Sequence, residues 1–230
     1  MAAIASKRTL HIGLIPPGAA HVNPVYSAGP FSDARLMLGQ LGVLASLPAD
    51  FLIKSSGSSE IQFSLLGQLP RFNRESLLAD AIVERAARLV CLTGTYSTLW
   101  TEVMGSEWSL EQALRTAAMR RQAEVELDAL VAIEVGLSAD ELCAIYRTQF
   151  PVLHAYERND LFDVNGRKVP GEVNKQYRLR GENLTREDRT WTHPQSGVEY
   201  VFEFPFQGFD REEDMRKAHT QFSSMLEGKS

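Results

Sequence analysis

Asp163, Glu172 and Lys175 are the residues whose types come nearest to a catalytic set. Two carboxylates and a lysine converging on a divalent cation are what phosphodiester hydrolysis needs. In Glu172-Val173-Asn174-Lys175, however, the lysine falls one residue beyond the Glu-x-Lys spacing, so a solvated polar loop is the better reading. The five histidines (His11, His21, His154, His193, His219) stand without metal-ligand spacing, and neither cysteine has a close partner. Cys91 and Cys143 read as buried free thiols. Ser55–Ser59 holds no nucleophile elbow, and no acid–base pair is specified around any serine.

Groups that can contact nucleic acid are easier to find. The segment from Lys54 to Glu60 offers one ammonium, the hydroxyls of Ser55, Ser56, Ser58 and Ser59, and backbone N–H groups, all able to meet phosphates or base edges. Gln62 and Gln68 have the amide that pairs bidentately with adenine, although Gln68 can equally satisfy local backbone. Arg71 follows shortly after. Lys168, Lys175, Arg178 and Arg180 form the densest basic stretch, with Tyr177 interleaved; it can grip a phosphate backbone or simply be an exposed loop. The formal net charge of −5 works against nucleic-acid binding, so any positive surface must be local or supplied by a partner.

The elements that must position these groups follow from pattern. Arg8–Ile15 reads as a strand stopped by Pro16-Pro17-Gly18. Ser32 and Asp33 offer caps for a helix over 34–47, and Pro48 either breaks it or opens a second helix from its first turn. Ile61, Phe63 and Leu65 alternate as in a short half-buried strand. Asn73 is placed to cap a helix over 74–92, a short helix is expected over 95–104, and Ser109 is placed to cap a long one over 110–135. On that long helix, Arg115, Arg120 and Arg121 against Glu124, Glu126 and Asp128 read as a surface face with intrahelical pairs, and Asp128 as structural. Ser138 with Glu141 makes a capping box for a helix ending near Phe150. From Leu153 to Tyr200 the chain turns polar, then a strand is expected over 200–206 and a final helix over 210–226, where Asp210, Arg211 and Glu212 serve as capping residues. The expected fold class is α+β: a small N-terminal sheet with packed helices (1–72), a helical middle (73–150), and a polar, loop-rich C-terminal part closed by a helix (151–230), packed as one compact unit.

With 230 residues, 44% hydrophobic and 23% charged, the chain is long and apolar enough for a substantial core and is not of disordered composition. It has no run of about 18 uncharged apolar residues for a membrane span. The N-terminus shows no long apolar stretch of the export type. A cytoplasmic protein with no membrane partner is expected.

Four segments together resemble one known family. They are RTLHIGLIPPGAAHVNPVYSA (8–28), LMLGQLGVLASLPADFLIKSSGSSEIQFSLLGQLPRF (36–72), ELDALVAIEVGLSADELCAIYRTQF with Pro151 (126–151), and the Pro205-Phe206 and DREEDMRKAHTQF pair (204–222). In this order they are similar to the DNA target-recognition region of large adenine-specific methyltransferases of the type IIG restriction–modification kind, with relatives in BREX- and DISARM-like phage defence. The resemblance implies sequence-selective contact with double-stranded DNA. It also implies a catalytic methyltransferase polypeptide as partner, which would carry the S-adenosylmethionine; no cofactor is expected on this chain.

The family's catalytic motifs, a Gly-rich cofactor loop and an Asn-Pro-Pro-Tyr/Phe tetrad for the flipped adenine, lie upstream of such a region. Asn23-Pro24-Val25-Tyr26 departs from that tetrad at its third position. About twenty residues precede it, too few for a strand–loop–helix cofactor site. The chain is therefore expected to choose DNA rather than to methylate it. The alternatives are an interaction or scaffold subunit of such a system, or a truncated remnant.

Overall fold

A computed structural model of the chain describes residues 6–15, 18, 25–29, 31–57, 61 and 63–227. Helices dominate it, and a single two-stranded antiparallel sheet completes an α+β fold among the described residues. Among those residues, no single helix is long and apolar enough to cross a membrane.

Helix α1 (Ala34–Leu44) starts where the Asp33 carboxylate accepts the Leu36 N–H at 2.8 Å. The helix stops at Ala45, because Ser46 caps a second one, α2 (Leu47–Ser55). Pro48 sits in its first turn, where a missing N–H costs nothing. The two helices meet at 61°. Helix α4 (Ala79–Val90) crosses α1 closely at Gly42, and Gly39 faces Phe72 ahead of α4. A Cβ on Gly39 would lie 2.5 Å from the Phe72 ring, and one on Gly42 would lie 2.9 Å from Ile82 Cγ2.

Helix α5 (Ser97–Met104), preceded by a 3-10 turn over Gly94–Tyr96, buries Trp100 against this pair. Then α6 (Ala117–Glu134), the longest helix, packs on α4, on α7 (Ala139–Gln149) and along α10 (Arg211–Glu227). Ser138 and Glu141 form the expected capping box of α7. The larger core joins α1, α4, α5, α6 and α10; a second joins α2, α6, α7, α10 and α8 (Pro151–Glu157). The C-terminal part adds α9 (Gly171–Arg180) and the sheet of β1 (Thr190–Thr192) and β2 (Glu199–Val201), paired Trp191 to Tyr200. Its small core is Val169, Val173, Phe202 and Phe206.

Several expected elements differ. The chain from Arg8 to Ile15 has no strand partner among the described residues: the Thr9 and Leu10 N–H groups donate to the Asp50 carboxylate instead of a ladder. The sheet therefore lies in the C-terminal part, not the N-terminal one. Over 61–66 the alternation is too short to separate strand from helix, and Phe63–Leu66 forms a helical turn, α3, beside Leu10, Ile53 and Leu69. Asn73 and Ser109 close only local turns, so α4 and α6 begin later, at Ala79 and at Thr116-capped Ala117. The strand expected over 200–206 is three residues long at 199–201, because Phe202 and Phe206 turn into the small core. The polar stretch expected as loop contains α9, which buries only Val173 and so carries no apolar period.

Candidate functional site

The centre of the molecule is held by buried ions. Asp128 of α6 is closed to solvent. It accepts the Leu47 N–H of α2 at 2.6 Å and pairs with Arg211 of α10 at 2.6 Å. Arg211 also reaches Glu157 of α8 at 2.6 Å, and Glu157 accepts the Tyr146 hydroxyl at 3.0 Å. Arg121, one turn into α6, pairs with Asp214 at 2.7 Å. Burial opposes charge on Arg211, yet Asp128 and Glu157 outweigh it and hold the guanidinium more firmly protonated than usual. Burial, with Glu157 beside it, pushes the Tyr146 hydroxyl up. Beyond α2, Asp50 takes the Thr9 and Leu10 N–H groups and Arg8 Nε at 2.9 Å, fastening the N-terminal segment across the helices. Burial nonetheless pushes the Asp50 carboxyl above its usual range.

These pairs surround a cavity of about 490 Å³. Its cationic lining is Lys7, Arg8, Arg120, Arg121, Lys168 and Arg211; Glu124, Glu157 and Asp160 supply carboxylates; Ile12, Leu41, Leu89 and Val90 supply apolar surface. Most of these charges are answered. Arg8 has Asp50, Lys168 has Asp160 at 2.5 Å, and Arg121 and Arg211 have the carboxylates already named. Glu124 is not. No hydrogen bond or ion pair joins it to any described residue, and it is exposed to solvent on the cavity lining, with protein on its inner side. That inner-side protein raises its pKa, against the pull of Arg211, Arg8 and Arg120 and with a push from Asp128. Lys7 also has no ion pair among the described residues, its ammonium lying 4.3 Å from the centre of the Tyr156 ring. Arg120 spends one guanidinium nitrogen on the carbonyls of Leu89 (2.9 Å) and Leu114 (3.3 Å) and meets no carboxylate of the described residues in an ion pair. One open carboxylate and two open cations in a partly apolar hollow can hold a small polar ligand by both kinds of edge.

The charges of α6 thus do not form a surface face with intrahelical pairs. Arg120, Arg121 and Asp128 turn inward to other elements, and Glu126 pairs across to Arg85 of α4 at 2.6 Å. Asp128 is structural, as expected. Asp210 does cap α10, accepting from Glu212 and Glu213, whereas Arg211 is a buried cation and Glu212 pairs with Arg147. A stripe at 117, 120, 121, 124 and 128 is visible in the sequence as one helix face; what it faces is not.

The nucleic-acid candidates fall in several places. Lys54 lies 4.9 Å from the Phe150 ring centre, and the hydroxyls of Ser55 and Ser56 close onto the carbonyls of Leu52 and Ile53 at the end of α2. Ser58, Ser59 and Gln62 lie outside the described residues, as do Asn23 and Pro24 of the tetrad-like run. The Gln68 amide donates to the Ser64 carbonyl at 3.3 Å, its local option. Arg71 is exposed. Lys168 belongs to the cavity. Lys175 and Arg178 share a shallow groove on α9 with Asn159 and Asn174, where Arg178 bonds the Asn159 side chain at 2.9 Å. Arg180 pairs with Asp188 at 2.6 Å. Tyr177 packs on Phe204 and Phe206 and serves the small core.

Asp163, the first carboxylate of the nuclease-like set, is fully buried. It accepts from the Asn165, Arg167 and Glu203 N–H groups and from the Arg167 guanidinium. Burial works to raise its pKa, but these donors prevail and hold it below the usual range. With both oxygens occupied it serves as a structural hub, and a polar loop is the right account of that motif. Among the described residues, no group of three or more His, Cys, Asp or Glu is placed to hold a metal ion. Both thiols are buried, and burial pushes Cys91 up to about 11.

Comparison with protein-family models, curated proteins and solved structures found no match to this chain.

Proposed function

We propose that this chain is a DNA target-recognition module of the adenine-methyltransferase type, acting with a catalytic polypeptide that carries S-adenosylmethionine. One observation supports the reading above the rest. The four segments that carry the resemblance interlock through their own polar residues. Thr9 and Leu10 of the first donate to Asp50 of the second, Leu47 of the second donates to Asp128 of the third, and Asp128 pairs with Arg211 of the fourth. These contacts tie the four segments into one network. Duplex contact on this reading falls to exposed cations without ion-pair partners among the described residues, of which Arg71 and Lys175 are the clearest.

The test is fluorescence anisotropy with a random-sequence duplex pool at low and moderate salt. The chain should bind with a steep salt dependence. Arg71→Glu with Lys175→Glu should weaken binding and lower the salt slope by about one for each phosphate no longer neutralised. A folded protein that binds no duplex at low salt overturns the reading. A second reading, an interaction subunit of the same kind of system, is favoured by the net charge of −5 and by the internal pairing of Lys168 and Arg180. It predicts no duplex binding at all.

A further inference from the structure

We propose that Asn165 is a site of spontaneous deamidation, and that its isoaspartyl product releases the turn that docks the C-terminal part on the start of α6. The proposal does not depend on the DNA-recognition reading.

The chemistry is intramolecular. The main-chain nitrogen of the residue after an asparagine gives its proton to solvent base and attacks the asparagine Cγ; ammonia leaves, and a succinimide ring remains. Water then opens the ring. Attack at Cγ breaks the new bond and gives aspartate. Attack at the main-chain carbonyl carbon breaks the old peptide bond instead and gives isoaspartate, with the chain running through the side chain. The net change is one water consumed and one ammonia released. A β-carbon on the following residue obstructs the first attack, so glycine there favours it. Of the six asparagines in the chain, Asn165 alone precedes a glycine.

The fold leaves this asparagine open. It is exposed at the tip of a hairpin whose arms meet at Phe162 and Lys168, and Gly166 closes the turn at a φ of 73°. No hydrogen bond holds its side-chain amide among the described residues, whereas those of Asn73, Asn159 and Asn174 are engaged. One bond opposes the reaction. The Gly166 N–H, whose nitrogen is the nucleophile, donates to the Asp163 carbonyl at 2.9 Å. The turn must open before it reacts, so the rate follows the population of the opened turn.

The isoaspartyl product does not fit the docked turn. The Gly166 carbonyl accepts the Ala118 N–H, a first-turn donor of α6, at 3.0 Å. A Cβ on Gly166 would stand 3.0 Å from Thr116 Oγ1 and 3.3 Å from Ala118 Cβ, so turn and helix already touch. On the other side, the Asn165 N–H is held by the Asp163 carboxylate at 3.0 Å. Isoaspartate inserts one extra carbon into the main chain between these two anchors and throws them out of register. Aspartate keeps the main chain as it was and leaves both in place.

The experiment incubates the full chain at neutral and mildly alkaline pH, with and without urea, and follows each asparagine by peptide mapping with mass detection. The amide-to-acid change should appear first at Asn165 and faster at the higher pH, with enzymatic methylation marking isoaspartate in that peptide. Urea should speed it by about tenfold or more, because it opens the turn. Asn165→Gln should remove the change from that peptide, since the longer side chain must close a larger ring. Hydrogen exchange reads the consequence. In the isoaspartyl form, separated by charge, the Ala118 N–H should exchange about tenfold faster than in the parent, and in Asn165→Asp it should not. No change at Asn165 in the folded chain, equal change at the other asparagines, or an unaltered Ala118 exchange rate in the isoaspartyl form would each overturn the proposal.

Discussion

Asp128 and Arg211 are 83 positions apart in the chain and form a 2.6 Å ion pair that almost no solvent reaches. The pair fastens α6 to α10, and Asp128's other oxygen fastens α6 to the start of α2. Isolated buried charges are costly, so each partner depends on the other.

Arg211→Met should leave Asp128 buried without its cation and Glu157 with only Arg121, at 3.9 Å, and cost about 3–5 kcal/mol of stability in urea denaturation. Asp128→Asn should cost a comparable amount. The double variant Asp128→Asn with Arg211→Met should recover part of the loss, because no charge is then stranded between those two positions. Strictly additive losses in the cycle would show that the two side chains do not interact.

The packing of α1 on the Phe72 ring makes a second prediction. Alanine in place of glycine inside a helix normally gains up to about 1 kcal/mol. At Gly39 the added carbon would stand 2.5 Å from the Phe72 ring, so Gly39→Ala should instead destabilise by about 1–3 kcal/mol. Phe72→Leu should relieve part of the penalty in combination. Stabilisation by Gly39→Ala alone would mean that α1 and the Phe72 ring do not approach this closely.

Two carboxylates should give stability opposite pH dependences. Asp163 has a lowered folded-state pKa, so its contribution is present above the ordinary aspartate value of 3.8 and disappears as pH falls through the folded value. Glu124 has a raised one, so ionising it in the folded state costs stability as pH rises above 4.5. Of the charges around it, Arg211, Arg8 and Arg120 reduce that cost and Asp128 adds to it. Glu124→Gln should accordingly raise the melting temperature at neutral pH, with the gain shrinking to nothing as the medium is acidified below 4.5. Asp163→Asn should lower it at neutral pH and converge with the parent in acid. Melting curves across that range check both, and a pH-independent gain for Glu124→Gln would contradict the placement of that carboxylate.

The sequence by itself determined what depends on neighbours in the chain. The capping box of Ser138 and Glu141, the Asp33 cap, the break or restart of a helix around Pro48 and the final helix after Asp210 all follow from groups within about four residues of one another, one helical turn. The α+β class was legible as well, although the sheet was expected in the N-terminal part and stands in the C-terminal one. Only the tertiary structure decided where long-range hydrogen bonds go. Arg8–Ile15 has a strand's composition, but a strand needs a partner edge, and the Asp50 carboxylate captured two of its N–H groups first. Helix α9 was illegible because it buries one side chain and so leaves no period. The cavity was illegible for the same reason at larger scale. The charged stripe on α6 can be read from its spacing. Whether Arg121 and Asp128 meet partners depends on Leu47, Arg211 and Asp214, which stand 81 to 93 positions away. That Glu124 meets none depends equally on distant chain. Local pattern fixes the face a helix presents; packing alone fixes what stands opposite it.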